Sequence, residues 1–396
     1  MGASEAILRS LQDTSWIRRM FEEGLRRKER FGTENVFDLS LGNPDLEPPT
    51  AFKEALAAQA ADLSERLHAY MPNAGYPHVR EAVAEHLRRT QGPPFTAGDV
   101  VMTVGASGAL NIILKTILEP GEEVIIPRPY FLEYNNYLEA HRGVPRPADT
   151  APDFSLDLDH IAAAASPHTR AVLINTPNNP TGRVYTAEQL RGLGELLRDL
   201  SRERARPVFL ISDEPYRRIC YTAQPPPSVF AAWENTFVVT SFSKDLSIPG
   251  ERIGYAALHP EMGGKEEIAA GMVMCMRNLG YVNAPALMQH LVPEMLSLSV
   301  DVAIYRRRRD RLCEALSAAG YTFPAPEGAF YLFPEAPGGD DADFAEALQE
   351  ENVLVVPGRA FEGPGHFRIA YCVPDAVIEG ALPAFRKVRD HILARD

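Results

Sequence analysis

The chain has 396 residues, of which 45% are hydrophobic and 23% charged, and its formal net charge at pH 7 is −13. The length predicts two or three domains, and the composition is ordinary for a soluble globular protein. The negative charge argues against general nucleic-acid binding, because contacts to phosphates need clustered positive charge. The run Arg306–Arg309 is a local exception with acidic neighbours, which indicates a solvated helix face.

The sequence contains no pattern typical of a targeting signal, a disulfide framework or a cysteine metal site. No apolar run approaches the length of a membrane span, and the first 25 residues carry charge throughout, without a signal-peptide core. The cysteines, Cys220, Cys275, Cys313 and Cys372, have neither metal-ligand spacing nor the density of a disulfide framework. We therefore expect a cytoplasmic protein with free thiols, no metal site and no membrane partner.

The first hundred residues predict helices at 4–31, 51–61 and 77–89 and a short strand at 35–41. From there, continuous apolar runs alternate with helices. These runs are 100–104, 123–126, 171–175, 207–211, 237–240 and 253–258. Strands that are apolar throughout and separated by helices are typical of a mainly parallel sheet with both faces covered.

The predicted fold class is therefore α/β, with a large domain whose mainly parallel sheet is covered by helices on both faces. We expect this domain to occupy 46–289. A smaller α+β domain is expected from both termini, 1–45 and 290–396, with a long linking helix at about 291–319.

Polar residues recur where the predicted strands end. Ser107, Asn179, Asp213 and Ser241 all lie just past an apolar run. Ligands of parallel sheets bind at the carboxyl ends of the strands. The sequence therefore predicts a ligand site that brings these four side chains together.

The segment Ser241-Phe-Ser-Lys244 follows a predicted strand, and Arg252 comes eight residues after the lysine. A lysine amine can form a Schiff base with an aldehyde. The hydroxyls of Ser241 and Ser243 and the guanidinium of Arg252 can hold a phosphate. Together they are what a phosphate-bearing aldehyde cofactor needs.

The strand at 207–211 leads into Asp213-Glu-Pro-Tyr216. A carboxylate beside a pyridine nitrogen keeps that nitrogen protonated, so that the ring can accept electrons. Tyr216 could donate to a ring oxygen. The structural alternatives are a buried aspartate bonded to a backbone cap and an ordinary half-buried tyrosine.

Two loops offer further cofactor contacts. The Asn179 amide could donate to the ring oxygen and help keep the pKa of the Lys244 Schiff base low, although turn chemistry alone explains the surrounding Asn, Pro and Gly residues. Gly105, Ala106 and Ser107 precede a helix predicted to start near Gly108, whose amino terminus suits a phosphate. Ser107 could instead be a simple N-cap.

Arg368 lies among apolar neighbours in the carboxy-terminal part. A buried arginine needs an anion, and a substrate carboxylate held by two hydrogen bonds would serve. Gly42 is either a turn glycine or a point where the backbone approaches the same carboxylate closely.

These segments, in this order and spacing, resemble the class I/II aminotransferases among the fold-type I pyridoxal-phosphate enzymes. The matching residues are Leu41-Gly-Asn-Pro-Asp45, Tyr70 with Gly75, Gly105-Ala-Ser107, Asn179-Pro-Thr-Gly182, Asp213-Glu-Pro-Tyr216, Ser241-Phe-Ser-Lys244 with Arg252, and Phe367-Arg368. The resemblance covers nearly the whole chain.

The resemblance implies an aminotransferase that uses pyridoxal 5′-phosphate to move an amino group between an L-amino acid and a 2-oxo acid in a ping-pong cycle. It implies that Lys244 moves the proton between Cα and C4′ and that Phe131 stacks on the cofactor ring. It also implies a homodimer in which Tyr70 reaches the neighbouring active site.

Other activities remain open on sequence grounds. A β-lyase or decarboxylase would use the same cofactor site. Serine acyl transfer through the S-x-x-K pattern of Ser241 and Lys244 lacks its S-D-N and K-T-G partners. A ligand-sensing regulator would need a DNA-binding segment, and the first 45 residues are too short for one.

Substrate preference is not fixed by these motifs. One subgroup of the family carries a lysine at the position of Ser107, near the distal carboxylate of aspartate. Arg142 and Arg277 are the unplaced alternative cations. The aromatic stretch 130–137 could equally favour neutral or aromatic substrates.

Overall fold

The structure, a computed structural model, describes residues 2, 16–62, 67–202 and 204–394. Its helices are α1 Trp16–Phe31, α2 Thr50–Ala61, α3 Pro77–Gln91, α4 Gly105–Ile117, α5 Glu133–Ala140, α6 Leu158–Ala164, α7 Ala187–Arg202, α8 Lys265–Asn278, α9 Ala286–Met295, α10 Val302–Ala318, α11 Asp341–Glu350 and α12 Asp375–Leu393. The predicted amino-terminal helix is confirmed over 16–31, and its first part, 4–15, lies outside the described residues.

The strands form three sheets. They are β1 Phe37–Asp38, β2 Val100–Thr103, β3 Glu123–Arg128, β4 Val144–Asp149, β5 Thr169–Asn175, β6 Phe209–Asp213, β7 Thr236–Ser241, β8 Gly254–Leu258, β9 Tyr331–Leu332, β10 Val353–Leu354, β11 Val356–Pro357 and β12 Phe367–Ala370. The first strand is shorter than the predicted 35–41. The small sheets are a parallel pair, β1–β10, and an antiparallel group in the order β11–β12–β9.

The large sheet has seven strands in the order β2–β8–β7–β6–β5–β3–β4. Strands β3 to β7 pair in parallel, whereas β8 is antiparallel to both of its neighbours. The prediction of a mainly parallel sheet is therefore confirmed. Parallel β5, β6 and β7 end on the same edge, which places Asn175, Asp213 and Ser241 side by side.

Both faces of this sheet are covered. Alternate residues of β5 point to opposite sides, with Val172 in one hydrophobic core and Leu173 in another. The first core includes residues of α2, α3, α7 and α9, and the second includes residues of α4, α5 and α8. Burial on both sides explains why these strands are apolar throughout.

A third core joins Leu39 to residues from 300 to 388, among them Leu312, Phe344 and Phe385. It draws on both ends of the described chain. The predicted domain boundary, with residues 46–289 in the large domain, stays a prediction.

The predicted long helix at 291–319 is wrong. Helix α9 ends at Met295 and α10 begins at Val302. Between them the backbone of Val300 donates to the carbonyl of Asp245 (2.7 Å), and the side chain of Asp301 accepts from the backbone N–H of Ala303 (3.0 Å). The Asp301 cap starts a new helix, because its side chain replaces the intrahelical partner that the first turn lacks.

Candidate active site

A cavity of about 250 Å³ lies where β5, β6 and β7 end. Nearly all of the site residues that we predicted from the sequence line this cavity. The predicted residues in its lining are Gly42, Ala106, Ser107, Phe131, Asn179, Asp213, Tyr216, Ser241, Ser243, Lys244, Arg252 and Arg368. The structure thus brings Ser107, Asn179, Asp213 and Ser241 together in one cavity, and their role in binding a ligand stays a prediction.

Lys244 follows β7 and reaches across the cavity. Its Nζ donates to the backbone carbonyl of Gly42 at 2.8 Å. Burial lowers the pKa of this lysine to about 8, and the positive charges of Arg368 and Arg252 act in the same direction. A substantial fraction of free amine is therefore present near neutral pH, as a nucleophile or base requires.

Asp213 ends β6 at the bottom of the cavity. Its Oδ2 accepts a hydrogen bond from the Tyr134 hydroxyl at 2.6 Å. Its Oδ1 is buried and has no hydrogen-bond partner within the described structure. Burial raises the pKa of the carboxyl group to about 7, while the Tyr134 bond acts against that rise. The free acceptor suits a ligand N–H.

Small and hydroxyl residues surround Arg252 at another end of the cavity. The side chains of Ser241 and Ser243 are hydrogen-bonded (2.6 Å), and Arg252 adopts a left-handed backbone with φ of 50°. A Cβ on Gly105 would lie 3.0 Å from Nη2 of Arg252, so glycine permits this close approach.

Helix α4 begins at Gly105 and not near Gly108, which corrects the predicted start. Ser107 therefore lies in the first helical turn and is not an N-cap. The turn begins with the small residues Gly105, Ala106 and Ser107. Unpaired N–H groups and the helix dipole favour an anion there.

Arg368 is a buried cation, 2% exposed. Its guanidinium donates to Oδ1 of Asn179 (3.0 Å) and to the carbonyl of Ser40, and its carbon centre lies 4.6 Å from the ring centroids of both Tyr331 and Phe361. Its Nε is buried without a partner, and no described carboxylate pairs with it. A buried charge in this state calls for an anionic ligand.

The hydroxyls of Tyr216 and Tyr331 lie 2.9 Å apart at the cavity wall. A Cβ on Gly42 would lie 1.9 Å from the Tyr331 hydroxyl. The packing of Tyr331 therefore requires glycine at position 42. Sequence reasoning missed the position of Tyr331, since nothing in its local pattern indicates what its hydroxyl contacts.

Two tyrosines of α5 were also missed as individual site residues. Tyr134 donates to Asp213, and Tyr137 lines the same cavity as Ser107. The available signal was spacing, because Phe131, Tyr134 and Tyr137 recur at every third position and all three line the cavity.

Some predicted residues lie outside the cavity lining. Tyr70 is 88% exposed, and Gly105 sits behind Arg252. Arg142 and Arg277 do not line the cavity either. Among the described residues, no cluster of three or more His, Cys, Asp or Glu side chains could hold a metal ion, and no helix could span a bilayer.

A lysine, an aspartate and an arginine at the carboxyl edge of a mainly parallel sheet are the arrangement of fold-type I pyridoxal-phosphate enzymes. The chain belongs to the family "Aminotransferase class I and II", whose model matches residues 34–385. It is therefore a transaminase that depends on pyridoxal 5′-phosphate.

Similar proteins carry related activities. The chain is 35% identical to the aspartate/prephenate aminotransferase of Thermus thermophilus, over 88% of this chain and 90% of that protein. It is 33% identical to an aromatic-amino-acid aminotransferase 2 of Thermococcus litoralis, over 90% and 92%.

Solved structures agree with the fold. A Eubacterium rectale aminotransferase superposes with a TM-score of 0.94 at 39% identity, covering 99% of both chains. The Thermus thermophilus aspartate aminotransferase with maleate gives a TM-score of 0.86 at 32% identity, over 98% of this chain and all of that one.

Proposed function

We propose that Lys244, Asp213 and Arg368 carry out amino transfer in this cavity. The supporting observation is that Oδ1 of Asp213 and Nε of Arg368 are both buried without partners beside the Lys244 amine. Oδ1 of Asp213 lacks a hydrogen-bond donor, which the cofactor would bring. Nε of Arg368 lacks an acceptor, which the amino acid would bring. The residues present therefore fit pyridoxal phosphate and its substrate.

The cofactor, when bound, supplies an electron sink and carries the amino group between the two half-reactions. Asp213 would accept a hydrogen bond from a protonated ring nitrogen. Asn179 and Tyr216 would serve as donors to an oxygen of the ring, and Phe131 would contact the ring.

The phosphate contacts in this proposal come from the loop around Arg252. Its anion-binding residues are Gly105, Ala106, Ser107, Ser241, Ser243 and Arg252. Backbone N–H groups, hydroxyls and a guanidinium are the usual ligands of a phosphate.

Lys244 would hold the cofactor through its side-chain amine. When free, this amine would take a proton from the substrate Cα as a base and deliver it to the cofactor as an acid. Arg368 binds the α-carboxylate with its free nitrogen, with Gly42 and Asn179 beside it. This fixes the Cα–H bond near the lysine, because orientation removes much of the entropic barrier.

Replacement of Lys244 tests the proposal. Lys244→Ala should lower the half-reaction rate by about 10³-fold or more, since general acid–base catalysis alone contributes that order. Borohydride should fix the cofactor at position 244 in the wild type. Lys387→Ala, at an exposed lysine paired with Glu351, is the matched control. Substantial transamination by Lys244→Ala would contradict the assignment.

We further propose that the amino donor has a neutral or aromatic side chain. The cations that line the cavity in the described residues are Lys244, Arg252 and Arg368, and each already has a role above. Among the described residues that line the cavity, a second carboxylate would find no further counter-cation. The wall instead carries Phe131, Tyr137 and other apolar groups.

A panel of half-reactions tests this preference. L-Phenylalanine should exceed L-aspartate in kcat/KM by about tenfold or more, since one charge left without a partner costs at least about 1.4 kcal/mol. Aspartate is the alternative that the names of the Thermus relatives suggest. A tenfold preference for aspartate would overturn the proposal.

The homodimer implied by the resemblance is also a proposal. Tyr70 is 88% exposed and outside the cavity of its own subunit, as expected of a residue that serves a neighbouring site. Lys244→Ala and Tyr70→Ala proteins, each weakened alone, should regain activity when mixed as hybrid dimers, because one site then has both residues. A monomer in solution, or no gain in verified hybrids, would contradict shared sites.

We propose cytoplasmic residence from the four cysteines, all of which are free. Free thiols are typical of a reducing compartment. Recovery of the native protein in an oxidising compartment by fractionation would contradict this. The sequence also predicts that nucleic acid is not a partner of this protein.

A further inference from the structure

The arginine run at 306–309 does not lie uniformly in solvent. Arg306 and Arg307 on α10 are exposed, as expected of a solvated helix face, but Arg308 is only 7% exposed. The prediction of a solvated face is therefore wrong for Arg308. An arginine is almost never this buried unless it is paired, so its partners indicate what it does.

Arg308 binds two carboxylates. Its Nη1 and Nη2 donate to Oδ1 and Oδ2 of Asp45 at 2.8 and 2.9 Å, and its Nε donates to Oδ1 of Asp375 at 2.6 Å. The Asp45 side chain is 18% exposed, whereas that of Asp375 is 72% exposed. Two parallel hydrogen bonds fix a carboxylate in both distance and direction. The partner that Arg308 positions is therefore Asp45.

Asp45 ends a segment, residues 41–45, that the backbone does not hold in place. Just before it, the N–H of Leu39 donates to the carbonyl of Leu354 (2.9 Å), and the Leu39 carbonyl accepts from the N–H of Ala370 (2.8 Å). Within the described structure, residues 41–45 make no backbone–backbone hydrogen bond. The pair with Arg308 therefore anchors the far end of this segment.

The same stretch of chain contacts the lysine and the buried arginine of the cavity. The carbonyl of Ser40 accepts from Arg368, and the carbonyl of Gly42 accepts from Nζ of Lys244 at 2.8 Å. A Cβ at position 42 would lie 1.9 Å from the Tyr331 hydroxyl, so the backbone there is tightly packed. A displacement of the segment would therefore move an acceptor of the lysine.

We propose that Arg308 is a positioning residue, which acts through Asp45 to hold the Gly42 carbonyl at the Lys244 amine. Arg308 and Asp45 do not line the cavity, so neither is a catalytic residue. An amine directed by a fixed acceptor needs less reorientation before it takes or gives a proton. This inference rests on the role of Lys244 in the proposed function.

The pKa of Lys244 reports this contact. A carbonyl that accepts from an ammonium group favours its charged form, so loss of the Gly42 bond should lower the pKa of the lysine. The charged and titratable groups that act on the amine stay in place in the variants below. These groups are Cys372, Asp213, Arg252 and Arg368.

Two substitutions test the proposal. Arg308→Lys keeps the charge but removes the two parallel hydrogen bonds, and Asp45→Asn keeps the shape but loses the charge of the acceptor. Each should lower kcat/KM for the amino acid by about tenfold, since a misplacement of about 1 Å can cost up to about 100-fold.

A second measurement follows the amine without turnover. In full-length protein freed of cofactor, the pKa of Lys244 should fall by up to about one unit in both variants. The pH dependence of the rate of Schiff-base formation with added pyridoxal phosphate, compared with wild type, measures it. Because Arg308→Lys changes no charge, a fall in that variant reports the position of the Gly42 carbonyl.

Two control variants keep the segment anchored. Arg311, on the same helix, donates through Nε and Nη2 to Glu379 (2.6 and 2.8 Å) in an exposed pair that does not contact residues 41–45. Asp375→Asn alters the Nε partner of Arg308 and leaves both bonds to Asp45. Arg311→Lys and Asp375→Asn should keep kcat/KM within about twofold of wild type, because exposed ion pairs contribute little. The pKa of Lys244 should not change in either.

Two outcomes would overturn the inference. One is a pKa of Lys244 that does not fall in Arg308→Lys and Asp45→Asn. The other is an Asp375→Asn variant that loses as much kcat/KM as Asp45→Asn, which would assign the effect to helix packing. If Arg308→Lys does not fold, the isosteric Asp45→Asn and Asp375→Asn pair decides between these. Absence of transamination in the wild type would instead contradict the proposed function, and the pKa comparison would still report on the segment.

Discussion

Two charged groups in the cavity, Arg368 and Asp213, have no ionic partner in the part of the chain that the structure describes. Arg368 has polar and aromatic neighbours there, and Asp213 has one tyrosine donor. Such groups cost folding free energy until a ligand pairs with them. The site is therefore preorganised at the expense of the stability of the unliganded chain.

Arg368→Lys should lower kcat/KM for the amino acid by about 10- to 100-fold. A lysine offers a point charge instead of a planar fork, and a hydrogen bond to a charged group contributes about 1.5–3 kcal/mol. Cofactor affinity, measured by absorbance titration, should change little, since the change is at the substrate carboxylate. Arg311→Lys, in an exposed pair with Glu379, is the control. Equal effects of the two variants would argue against a substrate role.

Asp245→Asn should stabilise the protein at pH 8. Burial raises the pKa of Asp245 to about 7, against an ordinary value of 3.8, although Arg218 lies 3.7 Å away. The contribution of this carboxyl group to the free energy of unfolding is fully present below about pH 4. It is lost as the pH rises through about 7. The loss is at most about 4 kcal/mol at 1.36 kcal/mol for each pH unit.

Denaturant unfolding at pH 4.5 and pH 8 measures this effect. The gain from Asp245→Asn should be larger at pH 8 than at pH 4.5. Asp199→Asn, at an exposed carboxylate beside Arg202, should give no such difference. A variant that is less stable than wild type at pH 8 would mean that the Arg218 attraction outweighs burial.

Residues at strand ends could be predicted from the sequence, because the carboxyl edge of a parallel sheet follows from strand order along the chain. Asp213 and Lys244 are of this kind. The contact between Tyr134 and Asp213 could not be predicted, since it joins residues far apart in the chain through side-chain directions. The same holds for Tyr331 beside Gly42.

Strands with continuous apolar sequence were predictable, whereas the strand β4, of mixed sequence, was not. Strand β5 is buried throughout and was expected, whereas β4 reads Val-Pro-Arg-Pro-Ala-Asp and is largely exposed at the sheet edge. Its pattern has neither alternation nor an apolar run. The break between α9 and α10 was missed because the apolar spacing continues across it.

Asp301→Ala should destabilise the protein by about 1 kcal/mol, the usual cost of losing an N-cap side chain. The Asp301 carboxylate accepts from the N–H of Ala303, and no other cap replaces it at the start of α10 in the described structure. Asp301→Asn should retain most of the stability. Asp310→Ala, in the exposed middle of the same helix, is the control for helix propensity. Chemical denaturation measures the free energy of unfolding. Equal values for Asp301→Ala and Asp310→Ala would show that the cap is not needed.

At the scale of the molecule, cofactor binding should raise the melting temperature by several degrees. Binding to the folded state alone contributes about 2.7 kcal/mol at a ligand concentration of one hundred times Kd. Differential scanning calorimetry with and without pyridoxal phosphate measures this shift. Lys244→Ala should show a smaller shift, since the covalent bond is lost while the phosphate contacts remain. No shift in the wild type would contradict cofactor binding in the cavity.

The outermost strand β4 carries Pro145 and Pro147. The N–H of Val144 points inward, to the carbonyl of Glu122, so by alternation the two prolines occupy positions whose N–H would point outward. A proline has no N–H group. A strand of another molecule that paired with this edge would therefore lack two hydrogen bonds. The β4 rim of the sheet is thereby protected against fibril-like growth.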